Sequence, residues 1–315
     1  MTLEIPNNPL HGPDQNAALP DNSSLPPRSN VSPVAFAFIA LAVVFLLYQV
    51  FGGTVTFFIF GSKPRPNTVQ WFRFTTMAGQ LLLILLPTLV LTRFQGNNLR
   101  DTLRLRPTGT REIFLSIVGV LSLQQILQVY LNIQDQVPIP SSVRPLADYL
   151  RKAIEETYRQ LVSAHSVPEL VFVLLVVALV PAICEELLFR GLVQKNFERG
   201  VRGWWGIILP GLIFGAYHFN PFSLVPLAVL GIYFGFLVFR SNSIVPSVAA
   251  HFANNLFAVL AVFFSGDENI LLHDETGFMS VPTISLALGG FGVVFAISTY
   301  GFVKLTRQPP APQIP

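Results

Sequence analysis

Three sets of polar residues interrupt otherwise apolar stretches, and their residue types are those of hydrolytic sites. Glu185-Glu186-Leu187-Leu188-Phe189-Arg190-Gly191 places three ionisable side chains near the end of an apolar run that begins at Pro168. A charge in hydrocarbon costs at least ~2.5–3.5 kcal/mol on insertion scales, so such groups belong where they pair or line a polar cavity. On a helix Glu186 and Arg190 are i, i+4 neighbours that can pair, whereas Glu185 is rotated about 100° away and points elsewhere. Phe214-Gly215-Ala216-Tyr217-His218 closes a second apolar run. His251-Phe252-Ala253-Asn254-Asn255 lies inside a third, with His251 and Asn255 on one helical face. At about 1.5 Å per residue, Glu185, His218 and His251 fall within about 10 Å of one plane. Glu185 is therefore expected to face the two histidines.

A carboxylate, two imidazoles and an amide in a desolvated cavity suit water activation, with Glu185 as base and imidazole or amide donors for a tetrahedral oxyanion. They also suit zinc, since two histidines and one glutamate with an open position form a recurring catalytic set. Both routes end in hydrolysis of an acyl bond. The chain has no His-Glu-x-x-His, Gly-x-Ser-x-Gly or Gly-x-Gly-x-x-Gly and no phosphate-binding loop. Neither Ser163 with His165 nor Ser247 with His251 has an orienting acid nearby in sequence. Two other classes compete: a membrane binding or immunity protein that keeps the polar core for structure, and an ion-coupled transporter, against which the lack of repeat symmetry counts.

The elements that must position these groups are membrane helices. Of 315 residues 51% are apolar and only 12% charged, half of the roughly 25% usual in soluble domains, and the mean hydropathy is +0.55. The fold class expected is all-α, a polytopic membrane helix bundle with about eight transmembrane helices and one interfacial amphipathic helix. The spans run over about 33–51 (extending to 60 if the Gly52-Gly53 break is passed), 76–91, 113–131, 168–197, 204–219, 222–239, 244–264 and 281–303. Between 145 and 164, Leu146, Leu150, Ile154, Tyr158 and Leu161 recur at helical spacing among charged residues, which makes the amphipathic helix. The organisation expected is a disordered tail (1–32), N-terminal membrane helices (33–131), a connector with the amphipathic helix (132–167), a core carrying the polar sets (168–265), and a last helix with its tail (266–315). Lys and Arg favour cytoplasmic loops. Twelve fall on the side holding both termini and seven on the other, which places both termini in the cytoplasm. A multi-pass protein of a cell membrane, in a bacterium the inner membrane, is the expected location. Cys184, the one cysteine, forms no intrachain disulfide.

Glu-Glu-x-x-x-Arg (Glu185, Glu186, Arg190), Phe-x-x-x-His (Phe214, His218) and His-x-x-x-Asn (His251, Asn255), in this order on successive membrane helices, resemble the CPBP family, the CAAX-processing and bacteriocin-processing (Abi) intramembrane proteases. The resemblance covers roughly 168–264. It implies an endopeptidase with a catalytic cavity open to the cytoplasm, acting on a peptide or membrane-protein segment within the lipid bilayer, and no nucleic acid. Carried over position by position, Glu185 and His218 activate water, His251 and Asn255 stabilise the oxyanion, and Glu186 and Arg190 support them. If the enzyme depends on zinc, Glu185, His218 and His251 are the ligands; otherwise no cofactor is needed. The eukaryotic members trim prenylated C-termini, and some bacterial relatives are associated with bacteriocin maturation or self-immunity.

Overall fold

The structure is a computed structural model that describes residues 31–61, 64–95, 98–265 and 280–306. The expected disordered tail lies outside the described residues except for Val31 and Ser32, and so does the acidic stretch 266–279. All regular structure among the described residues is helical. The long helices are α1 (Pro33–Phe60), α2 (Val69–Phe94), α3 (Thr110–Gln134), α4 (Arg144–Val162), α5 (Val167–Gly200), α6 (Trp205–Tyr217), α7 (Leu224–Ser241), α8 (Val245–Ser265) and α9 (Val281–Leu305). Seven of them, all but α4 and α6, are long and apolar enough to cross a membrane. Helix starts follow ordinary capping chemistry. Ser32, Ser166 and Ser280 accept from the backbone N–H of Ala35, Glu169 and Thr283, and proline occupies the first turn behind each.

At Gly52-Gly53 the structure takes the longer of the two expected forms, and at α6 it departs from the sequence reading. The Gly52-Gly53 pair does not end α1, which passes through a π-helical stretch, Phe45–Gly52, and continues to Phe60. Gly52 is used for packing: a Cβ there would stand 3.0 Å from Leu83 of α2. The fifth expected span is shorter than anticipated. Helix α6 has 13 residues, about 20 Å, against the ~30 Å of a hydrocarbon core. It ends because Phe219 turns left-handed (φ 51°) and the Asn220 carboxamide oxygen takes the backbone N–H of Phe222 and Ser223.

Helices α6 and α7 form a close antiparallel pair. A Cβ on Gly211 would meet the Ile232 backbone nitrogen at 2.7 Å, and one on Gly215 would meet that of Ala228 at 2.7 Å. Gly231 lies against the Gly211 carbonyl in turn. Small residues four apart let two backbones touch where lipid offers no hydrophobic drive. This contact sets the position of His218, the residue that caps α6.

The amphipathic helix α4 forms as expected and is pinned at one end of the bundle. Fully buried Arg73 of α2 donates from Nε to the Gln160 carbonyl (3.0 Å) and from Nη2 to the Ser163 carbonyl, and pairs with Glu169 at the start of α5 (2.6 Å). At the other end of α5, Gly200 packs against Val34, near the start of α1. The C-terminal end of α4 and the beginning of α1 therefore lie at opposite ends of the bundle.

Candidate active site

The three polar sets meet. Glu185, His218, His251, Asn254 and Asn255 line one cavity of about 370 Å³, together with Thr76 and Gln80 of α2 and Tyr158 and Leu161 of α4. Phe214, Phe234 and Leu230 supply apolar wall.

Glu185 and Glu186, adjacent in sequence, leave α5 in different directions and are treated oppositely. Glu186 is wholly buried and saturated. Its Oε1 is 3.2 Å from Arg190 Nη1 and accepts from His251 Nδ1 at 3.0 Å, and its Oε2 accepts from the Ser247 hydroxyl. Arg190 donates in turn to the Gly231 carbonyl (3.0 Å) and lies over the Phe214 ring, 4.4 Å from its centroid. A buried charge is tolerated under these conditions, with a partner and further hydrogen bonds on each ion. Glu185 has no such set. Its Oε2 is buried without a hydrogen-bond partner and faces His218 Nε2 across 3.8 Å. That gap is too long for a hydrogen bond and is of the size that one water can bridge.

The expectation that Glu185 faces both histidines is therefore half met: Glu185 faces His218, and Glu186 holds His251. The imidazoles are fixed from behind in the same manner. Nδ1 of His218 donates to the Phe214 carbonyl (2.8 Å), and Nδ1 of His251 to Glu186, which leaves Nε2 of each for other partners. Phe234 stacks on His251 at 5.0 Å between centroids and an interplanar angle of 15°. Asn255 donates to the Val177 carbonyl (3.0 Å) and accepts from Asn254 (3.1 Å), so one of its amide hydrogens is uncommitted.

Several roles escaped sequence reasoning. Ser247 is four residues before His251, so helical spacing alone puts it on the same face. Gln80 was legible as the lone amide in the apolar run 76–91. It is 7% exposed, its Oε1 has no partner, and it opens a π-helical stretch, Gln80–Leu85. Asn254 Oδ1 is likewise unpartnered. The cavity thus holds three buried acceptor oxygens, on Glu185, Gln80 and Asn254, that await donors from a water or a ligand. The amphipathic pattern of 145–164 marked α4 itself but not which of its residues reach the cavity.

Among the described residues no three His, Cys, Asp or Glu side chains stand close enough together to hold a metal ion. Glu185 and His218 could share a ligand, while His251 is turned to Glu186. The set of Glu185, His218 and His251 is not assembled for zinc in this arrangement.

Fold and site together define a multi-pass helical membrane protein with a polar cavity inside its bundle. Residues 167–257 match the family model described as type II CAAX prenyl endopeptidase Rce1-like. The resemblance of the three motifs to the CPBP/CAAX proteases is thereby shown, over the segment that carries all of them. Neither a curated protein nor a solved structure matches the chain.

Proposed function

We propose that the chain is an intramembrane endopeptidase in which Glu185 is the general base. The observation that carries this is the unpartnered Glu185 Oε2 facing His218 Nε2 across a gap of one water, inside a cavity also lined by His251, Asn254, Asn255 and Gln80. Water held between the two attacks the scissile carbonyl carbon and gives its proton to Glu185. The tetrahedral oxyanion is met by the free amide hydrogen of Asn255 and, when that nitrogen carries a proton, by His251 Nε2. Collapse breaks the C–N bond, and the proton on Glu185 passes to the departing amine. Glu186, Arg190 and Ser247 position His251. The family description makes a prenylated CAAX peptide the first substrate to try.

The test uses the full chain reconstituted in lipid with a farnesylated CAAX peptide and its unprenylated twin. Wild type should release the C-terminal fragment, while Glu185→Ala and His218→Ala should release none and remain folded and inserted. Equal cleavage by wild type and Glu185→Ala would sink the proposal. If the alanine variants keep a protective function in cells and no cleavage occurs, the non-catalytic immunity or binding protein is the better reading.

The two orientation expectations conflict for a cavity that opens beside α4. Tyr158 and Leu161 put α4 in the cavity wall, and α4 ends opposite the start of α1. A cavity open to the cytoplasm leaves the beginning of α1 outside; cytoplasmic termini leave α4 outside. The excess of basic residues at the terminal end favours the second arrangement, and we adopt it. A single cysteine at exposed Asp148 of α4, in a Cys184→Ala background, should then react with a membrane-impermeant maleimide added to intact cells. Labelling only after permeabilisation reverses the assignment.

A further inference from the structure

At the end of the bundle away from α4, a group of cations exceeds the carboxylates that could neutralise it. Arg104, in the segment between α2 and α3, is 3% exposed. Its Nη2 pairs with Glu198, while its Nε and Nη1 are buried with no hydrogen-bond partner. Both oxygens of Glu198 are already engaged, one by Arg104 and the other by Gln194 Nε2 at 2.8 Å. Lys195, one turn earlier on α5 and half-buried, has neither a hydrogen bond nor an ion pair among the described residues; burial and then Arg104, Arg199 and Arg106 disfavour its charge, while Glu198, already paired with Arg104, favours it. Arg106 pairs with Asp101 (3.2 Å) at the exposed edge. A buried guanidinium with two idle donors, beside an amine whose attracting carboxylate is already held by that guanidinium, is costly unless an anion completes it.

The depth of this group identifies the anion. Trp204 and Trp205, 59% and 57% exposed, follow α5 directly, and exposed tryptophans sit at headgroup level in a bilayer. Anionic phosphates are supplied at that level by lipid. The fork of an arginine matches phosphate oxygens, with a lysine adding a point charge. We propose that Arg104, Lys195 and Arg199 form a binding site for the phosphate of an anionic phospholipid, with Arg104 as its buried floor. The site is separate from the catalytic cavity and does not depend on the protease reading.

The full chain, purified in a neutral detergent, is titrated with phosphatidylglycerol or with phosphatidylcholine of the same acyl length. Bound lipid is read by native mass spectrometry, and the thermal unfolding midpoint is followed in parallel. Phosphatidylglycerol should be retained and should raise the midpoint, phosphatidylcholine should do neither, and Lys195→Ala/Arg199→Ala should bind phosphatidylglycerol about tenfold more weakly. Arg144→Ala/Lys152→Ala, at the α4 end, should bind like wild type. Arg104→Gln should lose the lipid as well, and because that variant removes a buried ion pair, the Lys195/Arg199 variant decides if it misfolds. Equal retention of the two lipids, or unchanged binding by the Lys195/Arg199 variant, would overturn the site. Stabilisation by inorganic phosphate with no preference between the lipids would overturn its assignment to lipid.

Discussion

Two neighbouring carboxylates on one helix divide the centre of this molecule into a closed half and an open half. Around Glu186 both carboxylate oxygens are answered: arginine, histidine and serine converge on them, and aromatic rings seal them. Around Glu185 an acceptor is left idle, as are those of Gln80 and Asn254 across the same cavity. The closed half resembles the interior of a folded protein that has finished its hydrogen bonding. The open half resembles one awaiting a reactant. Local sequence cannot decide which glutamate belongs to which half; the one-residue rotation on the helix does.

The comparison can be broken most decisively by exchanging charge for amide at each position. Glu185→Gln should lower peptide cleavage about 10²–10⁴-fold with little change in the unfolding midpoint, because it removes a base and no structural partner. Glu186→Gln should instead cost about 3–5 kcal/mol of stability, measured by unfolding in mixed micelles, because it leaves Arg190 buried and uncompensated. If the two substitutions have interchangeable effects, the division is wrong. Asn255→Ala should reduce kcat by about 10²–10³ with a smaller change in KM, as removal of an oxyanion donor does. The smallest effect is expected from Gln80→Leu, which deletes an unsatisfied acceptor. Because it also removes a hydrogen bond to the buried Tyr48 side chain, it should lower the unfolding midpoint slightly, and it should raise KM severalfold if that oxygen holds a substrate N–H.

Much of the fold was legible because lipid restricts a chain to a few solutions. Apolar runs of sufficient length become helices, and the periodic charges of Arg151, Lys152, Glu155, Glu156 and Arg159 marked α4 as lying outside the apolar set. What length alone obscured was α6, whose apolar residues suffice for a span while the turn at Phe219 and Asn220 cuts it short. The pairing of Glu186 with Arg190 was legible because both lie on one helix. The attachment of Glu186 to His251 and Ser247 was not, since it depends on how α8 is rotated against α5, and spacing within a helix carries no information about rotation between helices. The same holds for Gln80 and Tyr158, which come from helices outside the matched segment.

The shortness of α6 bears on how a hydrolytic reaction deep in lipid obtains its water. A helix of about 20 Å cannot match a hydrocarbon slab of ~30 Å, and such a mismatch is relieved by thinning of the adjoining bilayer. Thinning at the turn at 219–223 would draw the polar surface of the leaflet inward, beside His218. The hydrated boundary would then come to the residue, and the distance over which a water molecule must be dehydrated on its way to Glu185 would shrink accordingly.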